Sequence, residues 1–440
     1  MRIKSLVVDK LYGSLDFEVE FYPDVNILIG INGCGKTSIL NVLAWVLGPS
    51  LRKLAELQFK KIEVVYAVAK NGKITLTARK RKNYVELSIG DVSERLRIPI
   101  FGYADEMTAG AEQRASIDDM YERYRMENKE NNILKTLEEL EGPLYLPLDR
   151  RWSEGSGMVQ TRQFLRYRRS VGRVAGPMSD VLSRAERYYR QRQTALNVFN
   201  EKLKEEFIEY AFSDVVTLGD INKAPAPWTV EEIKRRNETI VKALQQAGIE
   251  VPKEILNKYF KGLGKIGMRA EKEHLKKAGL SPGRIEWAMN MPQIAKIERL
   301  IKRMEKYNRQ RNVLFGTIDA FQENVNSYFG DTGKHVRFDR FGDLLIQVGK
   351  KTEIRADLLS SGEAQLLILF AYLYFGFASK EEFVVMIDEP ELSLHLQWQH
   401  RYIESVMKAN PSAQFIFATH APELAQDFGA RCIEIKARNT

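Results

Sequence analysis

Cysteine is nearly absent from this sequence: 440 residues contain only Cys34 and Cys432, and neither belongs to a Cys-x-x-Cys pair or a Cys/His cluster. A disulfide framework and a structural zinc site are thereby excluded, and a reducing compartment is expected. Long apolar runs are missing as well. The longest, Leu366 to Phe377, is too short to cross a bilayer and reads as a buried helix, so no membrane partner is expected. Near the N-terminus Asp9 cuts off the apolar stretch Leu6-Val7-Val8, which rules out a signal-peptide core and makes the cytoplasm the expected location. Internal repeats and low-complexity tracts are also lacking. What remains is a chain 44% hydrophobic and 28% charged, too apolar for disorder and long enough for two or three packed units. Its formal charge of +9 permits attraction to a polyanion but is moderate for the length.

The first 29 residues alternate in short blocks, Ile3 to Val8, Leu15 to Phe21 and Val25 to Ile29, and predict three strands. After Gly30 the spacing becomes helical: Ile39, Leu40, Leu43, Val46 and Leu47 form one face, and Gly48-Pro49 stops it. A strand therefore feeds a glycine loop and then a helix. Three more alternating segments follow, Val64 to Ala69, Ile74 to Ala78 and Tyr84 to Ile89, with Asn71-Gly72 as a hairpin turn; they predict an antiparallel β layer. Between about Trp152 and Asn326 helical periods take over. Ile294, Ile297, Ile301 and Met304 mark one long helix, resumed by Leu314, Ile318, Phe321, Val325 and Tyr328, and its expected partners are Ser183 to Phe212 and Thr229 to Lys261. This insertion is either a short helical arm or an ordinary helical subdomain covering one side of the core. Strand character returns at Val336 to Val348.

Gly30-Ile31-Asn32-Gly33-Cys34-Gly35-Lys36-Thr37 fits G-x-x-x-x-G-K-[ST] and stands between a predicted strand and helix, the context in which such a loop wraps phosphates with its backbone N–H groups. Asn32, Gly33, Cys34, Gly35, Lys36, Thr37 and Ser38 are the expected nucleotide-binding residues, with Lys36 on the β and γ phosphates of ATP. Thr37 and Asp388 are the expected Mg²⁺ anchors, since that ion prefers oxygen ligands. Asp388 ends the apolar run Phe383 to Ile387, which suits a strand buried on both faces, and Glu389 beside it is placed to activate an attacking water. Leu359-Ser360-Ser361-Gly362-Glu363 precedes the Leu366 to Phe377 run, so Ser360, Ser361 and Gly362 gather at a positive helix end; this is a second anion site or a plain serine cap. His420 follows the apolar run Phe415 to Ala418, where a γ-phosphate oxygen comes within reach.

In this order the motifs resemble those of the ABC-type ATPase superfamily, and Glu389-Pro390-Glu391-Leu392-Ser393-Leu394-His395 with Thr419-His420-Ala421-Pro422-Glu423 looks like the bacterial branch related to RecF, SMC proteins and the ATPase half of overcoming-lysogenization-defect nucleases. The match covers about 1 to 50 and 350 to 435. Cys34, Ser361 and Ala421 depart from the usual serine, glycine and serine, and the glutamine loop has no assigned position. The resemblance implies an α/β fold: an ABC-type P-loop ATPase head with an antiparallel β layer and an inserted helical arm. The expected domains are 1–150 (first ATPase lobe), 151–330 (helical arm) and 331–440 (second lobe), with Glu389, His420 and Lys36 catalytic. It also implies a homo-oligomer whose composite sites join one protomer's phosphate loop to another's signature.

The related nucleases continue into a TOPRIM domain. Here only about twenty residues follow His420 and no Asp-x-Asp pair occurs, so a nuclease effector is expected as a separate protein. The segment Leu146-Pro147-Leu148-Asp149-Arg150-Arg151-Trp152 most resembles the AriA-type ATPases of PARIS anti-phage systems, the PtuA type of Septu coming next. That class implies an ATP-dependent homo-oligomer, a sensor and scaffold that holds its effector and releases it when a phage protein is sensed. The alternative is a repair ATPase that clamps DNA, because the window Arg150 to Arg192 holds 11 Arg against 3 acidic residues. Arg-rich surfaces also grip acidic proteins or merely face solvent, so DNA is permitted as a partner but not required.

Overall fold

A computed structural model describes the chain outside residues 49, 69–71, 91, 102–110, 141, 147–176, 213–227, 247–251, 275–280, 350–351, 377–381, 437 and 440. Two compact units result: one combines Met1–Ala185 with Phe321–Thr440, and the other is Glu186–Ala320.

The first unit is built on sheets of opposite character. β1 (Arg2–Leu11), β2 (Leu15–Glu20), β4 (Lys61–Val68), β5 (Gly72–Lys80), β6 (Tyr84–Ile89), β7 (Leu96–Pro99) and β15 (Arg438–Asn439) form an antiparallel sheet in the order β15-β2-β1-β4-β5-β6-β7. Its strands alternate as a one-sided sheet requires. Ile62, Val64 and Tyr66 of β4 are fully buried while their sequence neighbours are partly exposed. The second sheet, in the order β14-β3-β13-β12-β8, is parallel; it contains β3 (Val25–Ile29), β8 (Leu144–Leu146), β12 (Val384–Asp388), β13 (Gln414–Ala418) and β14 (Cys432–Glu434). Every residue of β12 and β13 is buried, which explains their unbroken apolar sequence. Helix α1 (Lys36–Leu47) shares one hydrophobic cluster with both sheets through residues such as Ile39, Leu43, Leu6, Val64, Met386 and Ile416.

Two buried amides fasten the sheets together. Gln414 accepts from the Ile3 N–H at 2.7 Å and donates to the Ile3 and Tyr22 carbonyls, while Asn26 donates to the Tyr22 and Phe415 carbonyls. Both are 0% exposed, so each hydrogen bond offsets the cost of burying an amide. The tail beyond His420 belongs to both sheets, because β14 pairs with β3 and β15 with β2. A third sheet, β11-β10-β9, comprises β9 (Lys334–Phe338), β10 (Leu344–Val348) and β11 (Thr352–Ile354). Strands β7 and β8 were not expected from the sequence: four and three residues are too few to display a period.

In the second unit, parts of two long helices run antiparallel, since Tyr189 meets Phe315 at 5.5 Å and Phe199 stacks on Tyr307 at 5.8 Å. These helices span Pro177–Phe212 and Pro282–Phe329; the second is continuous across the polar gap between Met304 and Leu314. The segment Thr229 to Lys261, expected as a partner of the long helix, falls on two helices, Val230–Gln246 and Lys253–His274. Pro252 stands directly before the latter, where its missing N–H costs least. Ile233, Ile240, Phe260 and Met304 form a small core among these helices. No helix among the described residues is long and apolar enough to cross a membrane.

Candidate functional site

Register brings the site together. Leu28 pairs with Ala418 and Ala418 with Asp388, so Gly30, Glu389 and Thr419 emerge side by side at the carboxyl edge of the parallel sheet. That edge is where α/β folds place ligand groups.

The loop after β3 exposes Ile31, Asn32 and Gly33, buries Cys34, and enters α1 with Lys36 and a half-buried Thr37 and Ser38. Gly35 has φ 101°, and a Cβ there would lie 2.4 Å from the Phe17 ring, so both backbone conformation and space demand glycine. Lys36 is only 4% exposed; its ammonium donates to the Gly30 carbonyl at 2.8 Å and lies 3.2 Å from Nδ1 of His420. Because an ammonium can only donate, Nδ1 is the acceptor and the ring proton belongs on Nε2. Nε2 faces Oε1 of Glu389 at 3.4 Å. Lys36, His420 and Glu389 thus form one chain of contacts.

Thr37 donates from its hydroxyl to Oδ1 of Asp388 at 3.2 Å. Oδ2 of Asp388 is buried without a hydrogen-bond partner. Burial pushes the Asp388 carboxyl up to about 6, with Thr37 and Lys36 opposing the rise and Glu389 and Glu391 adding to it. A hydroxyl and a carboxylate with a spare buried oxygen suit a hard cation such as Mg²⁺. Among the described residues no group of three or more His, Cys, Asp or Glu could hold a metal alone, so Thr37 and Asp388 would share the ion with phosphate and water oxygens.

Glu389 has φ 45° and ψ 59°, a left-handed conformation uncommon for a side-chain-bearing residue. Its N–H donates to the Ala418 carbonyl at 2.7 Å, which extends the ladder one residue past β12 before the chain turns at Pro390. The strained residue is therefore the one beside His420.

Ser360, Ser361 and Gly362 stand elsewhere. Ser360 caps helix Ser361–Ala371 in a capping box with Glu363. Glu363, 1% exposed, also accepts from Lys334 at 2.8 and 2.7 Å and from Thr332 at 2.8 Å. Burial alone would raise the Glu363 carboxyl, but Lys334, Ser360 and Thr332 hold it below the usual carboxylate range. The helix thus starts at Ser361, within the motif, and gives way after Ala371 to a π turn, Tyr372–Gly376. The hydroxyl-bearing residues Ser360 and Ser361 remain exposed. Among the described contacts nothing joins residues 360–363 to Lys36, Asp388 or His420.

The AAA ATPase domain family AAA_15 matches residues 1–425. The chain belongs to this family. As a member it is an ATPase domain that binds ATP. A 138-residue stretch, 29% of the chain, is 30% identical to the Retron Vc95 probable ATPase of Vibrio cholerae serotype O1 biovar El Tor, and the match spans 27% of that protein. Over its whole length the AAA_15 chain aligns with 94% of the Smc head domain with an extended coiled coil bound to the C-terminal domain of ScpA from Pyrococcus furiosus, at 14% identity and a TM-score of 0.42. An SMC head domain from Thermotoga maritima aligns over 97% of this chain and 92% of its own, at 13% identity and a TM-score of 0.37.

One residue of this AAA_15 site carried no separate expectation. Oε1 of Glu391 accepts from the Thr419 hydroxyl at 2.8 Å and from the N–H groups of His420 at 2.7 Å and Ala421 at 3.2 Å. Its only signal in the sequence was its place two residues after Glu389. The Arg-rich window Arg150 to Arg192 and the segment after Leu146 fall mostly outside the described residues. Within the described part, Arg184 pairs with Asp180 at 2.8 Å and Arg192 lies over the Tyr188 ring.

Proposed function

We propose that this domain hydrolyses ATP with Mg²⁺ at a composite site, Lys36 on the β and γ phosphates, Thr37 and Asp388 holding the ion, Glu389 orienting the attacking water and His420 on the γ-phosphate. Bound there, Mg²⁺ would neutralise phosphate charge as the leaving group departs. The observation that carries the reading is the convergence, from three separate strand ends, of Lys36, His420 and Glu389 in one line of contacts and of Thr37 with Asp388 beside it.

The composite arrangement rests on a second observation. Ser360 and Ser361 are exposed at a helix start and have no described contact with that cluster, and large apolar residues are exposed just before them and on the segments that follow β3 and β12: Leu358 at 65%, Ile31 at 81%, Leu392 at 53% and Leu396 at 56%. A second copy would cover them and bring its own Ser360, Ser361 and Gly362 to the nucleotide. On this reading the protein is a homo-oligomer and serves as sensor and scaffold for a separately encoded TOPRIM-type nuclease in anti-phage defence, in the manner of AriA-type ATPases. Supporting this are the residue pattern of that class and the partial likeness to a retron ATPase. An acidic phage protein would be the trigger.

Mixing two defective variants tests the core of the proposal. Lys36→Ala and Ser361→Arg should each lose ATPase activity, and their mixture should regain part of it, because one hybrid site holds both intact halves. Phosphate release that stays absent in the mixture, while the wild type hydrolyses ATP, rules out the composite site. A wild type that does not hydrolyse ATP rules out the enzyme itself.

A further inference from the structure

From the contacts of a single carboxylate oxygen we infer that Glu391 is a positioning residue that holds the His420 backbone in register with Lys36 and Glu389. The inference rests on the ATPase reading for its kinetic consequence but not for its structural one.

His420 lies past the end of β13, where the ladder no longer restrains it: the last paired residue is Ala418. Beyond that point three consecutive residues turn a donor toward one acceptor. The Thr419 hydroxyl and the N–H groups of His420 and Ala421 all bind Oε1 of Glu391, and Thr419 also accepts from the Ala421 N–H at 2.9 Å. Two successive N–H groups and a hydroxyl thus share one carboxylate oxygen, and all three lose their acceptor if that oxygen is removed. Glu391 is itself fixed. It sits in the short helical turn Pro390–Ser393, and Gln399 donates to its backbone carbonyl at 3.3 Å and to that of Leu394 at 3.1 Å. A rigid turn after β12 thereby grips the loose end of β13 and aims the His420 ring, whose two nitrogens lie 3.2 Å from Lys36 and 3.4 Å from Glu389.

The second oxygen of Glu391 is buried and makes no hydrogen bond, so the carboxylate acts through Oε1 alone. This distinguishes two substitutions. Glu391→Gln can present its carbonyl oxygen to the same three donors, whereas Glu391→Ala leaves them without an acceptor.

The test uses full-length protein and two readouts. In protein labelled with ¹⁵N-histidine, five histidines give resolvable ring signals, and His420 is assigned by its loss in His420→Ala. Wild type and Glu391→Gln should show His420 locked as the tautomer protonated on Nε2, and Glu391→Ala should show the averaged signal of a free imidazole. In ATPase assays Glu391→Ala should lower kcat about tenfold or more with KM for ATP changed less than about threefold, and Glu391→Gln should restore most of it. Should Glu391→Ala fail to fold, Thr419→Val removes one of the three donors at nearly constant shape and should shift the His420 signal the same way by a smaller amount. An unchanged His420 signal in the folded Ala or Val variant overturns the inference, as does a Gln variant that resembles Ala in both readouts. The histidine spectrum needs no turnover, so a wild type without ATPase activity would refute the ATPase reading and still decide this one.

Discussion

Asp388 and Glu363 are both acidic residues in the first unit, beside apolar segments and almost equally hidden at 5% and 1% exposure, yet burial has opposite outcomes for them. Asp388 has one hydroxyl partner and a bare oxygen, so desolvation dominates and its carboxyl rises to about 6. Glu363 receives a lysine, a threonine hydroxyl and the Ser360 hydroxyl and N–H, so its desolvation is outweighed and its carboxyl falls. Asp388 lies deeper in the fold and has fewer donors than Glu363, and the two differences act in the same direction: one carboxyl is left unsatisfied, the other is a structural anchor.

Removing the two charges separately sets the difference in relief. Asp388→Asn should lower ATPase activity by about 100-fold or more in Mg²⁺ buffer while leaving urea stability at pH 8 no lower than wild type, because it removes a charge that the fold disfavours. A variant that keeps its activity would show that Asp388 is not the ion's anchor. Glu363→Ala should do the reverse in stability, costing about 2–4 kcal/mol by urea denaturation, since it leaves the Lys334 ammonium half-buried and unpaired. A loss below about 0.5 kcal/mol would mean that the two acids do not differ.

The smallest effect is in pH dependence. Because the Glu363 carboxyl lies lower in the fold than its ordinary value of 4.5, its contribution is present above that value and lost as pH falls through the lower folded one. The stability gap between wild type and Glu363→Gln should therefore narrow from pH 5 to pH 3. A gap that stays constant over this range removes the lysine pairing from the account.

Several elements were legible in advance for a local reason. Alternation in Ile62, Val64 and Tyr66 declares a strand with one buried face, and the unbroken runs of β12 and β13 declare strands buried on both. Glycine spacing before Lys36 marks the loop because Gly35 must adopt a backbone conformation that other residues resist. Less legible were the three-residue β8, whose pairing with β12 depends on neighbours far away in sequence, and the division of Thr229 to Lys261 into two helices at Pro252. The capping role of Ser360 was visible as one of two readings of its motif, but Lys334 as the partner of Glu363 was not, since 29 residues separate them.

The sequence by itself determined the strand and helix types, the phosphate-loop motif and the affiliation with ATPases, because each depends on residues within a few positions of one another. Tertiary structure decided which charges matter to which. The register of β3, β13 and β12 puts Lys36 beside His420 across 384 residues and Thr37 beside Asp388 across 351. The same register gives Glu391 three donors and leaves Asp388 an oxygen with none. Desolvation and donor count are properties of a place in space, and no spacing along the chain encodes them.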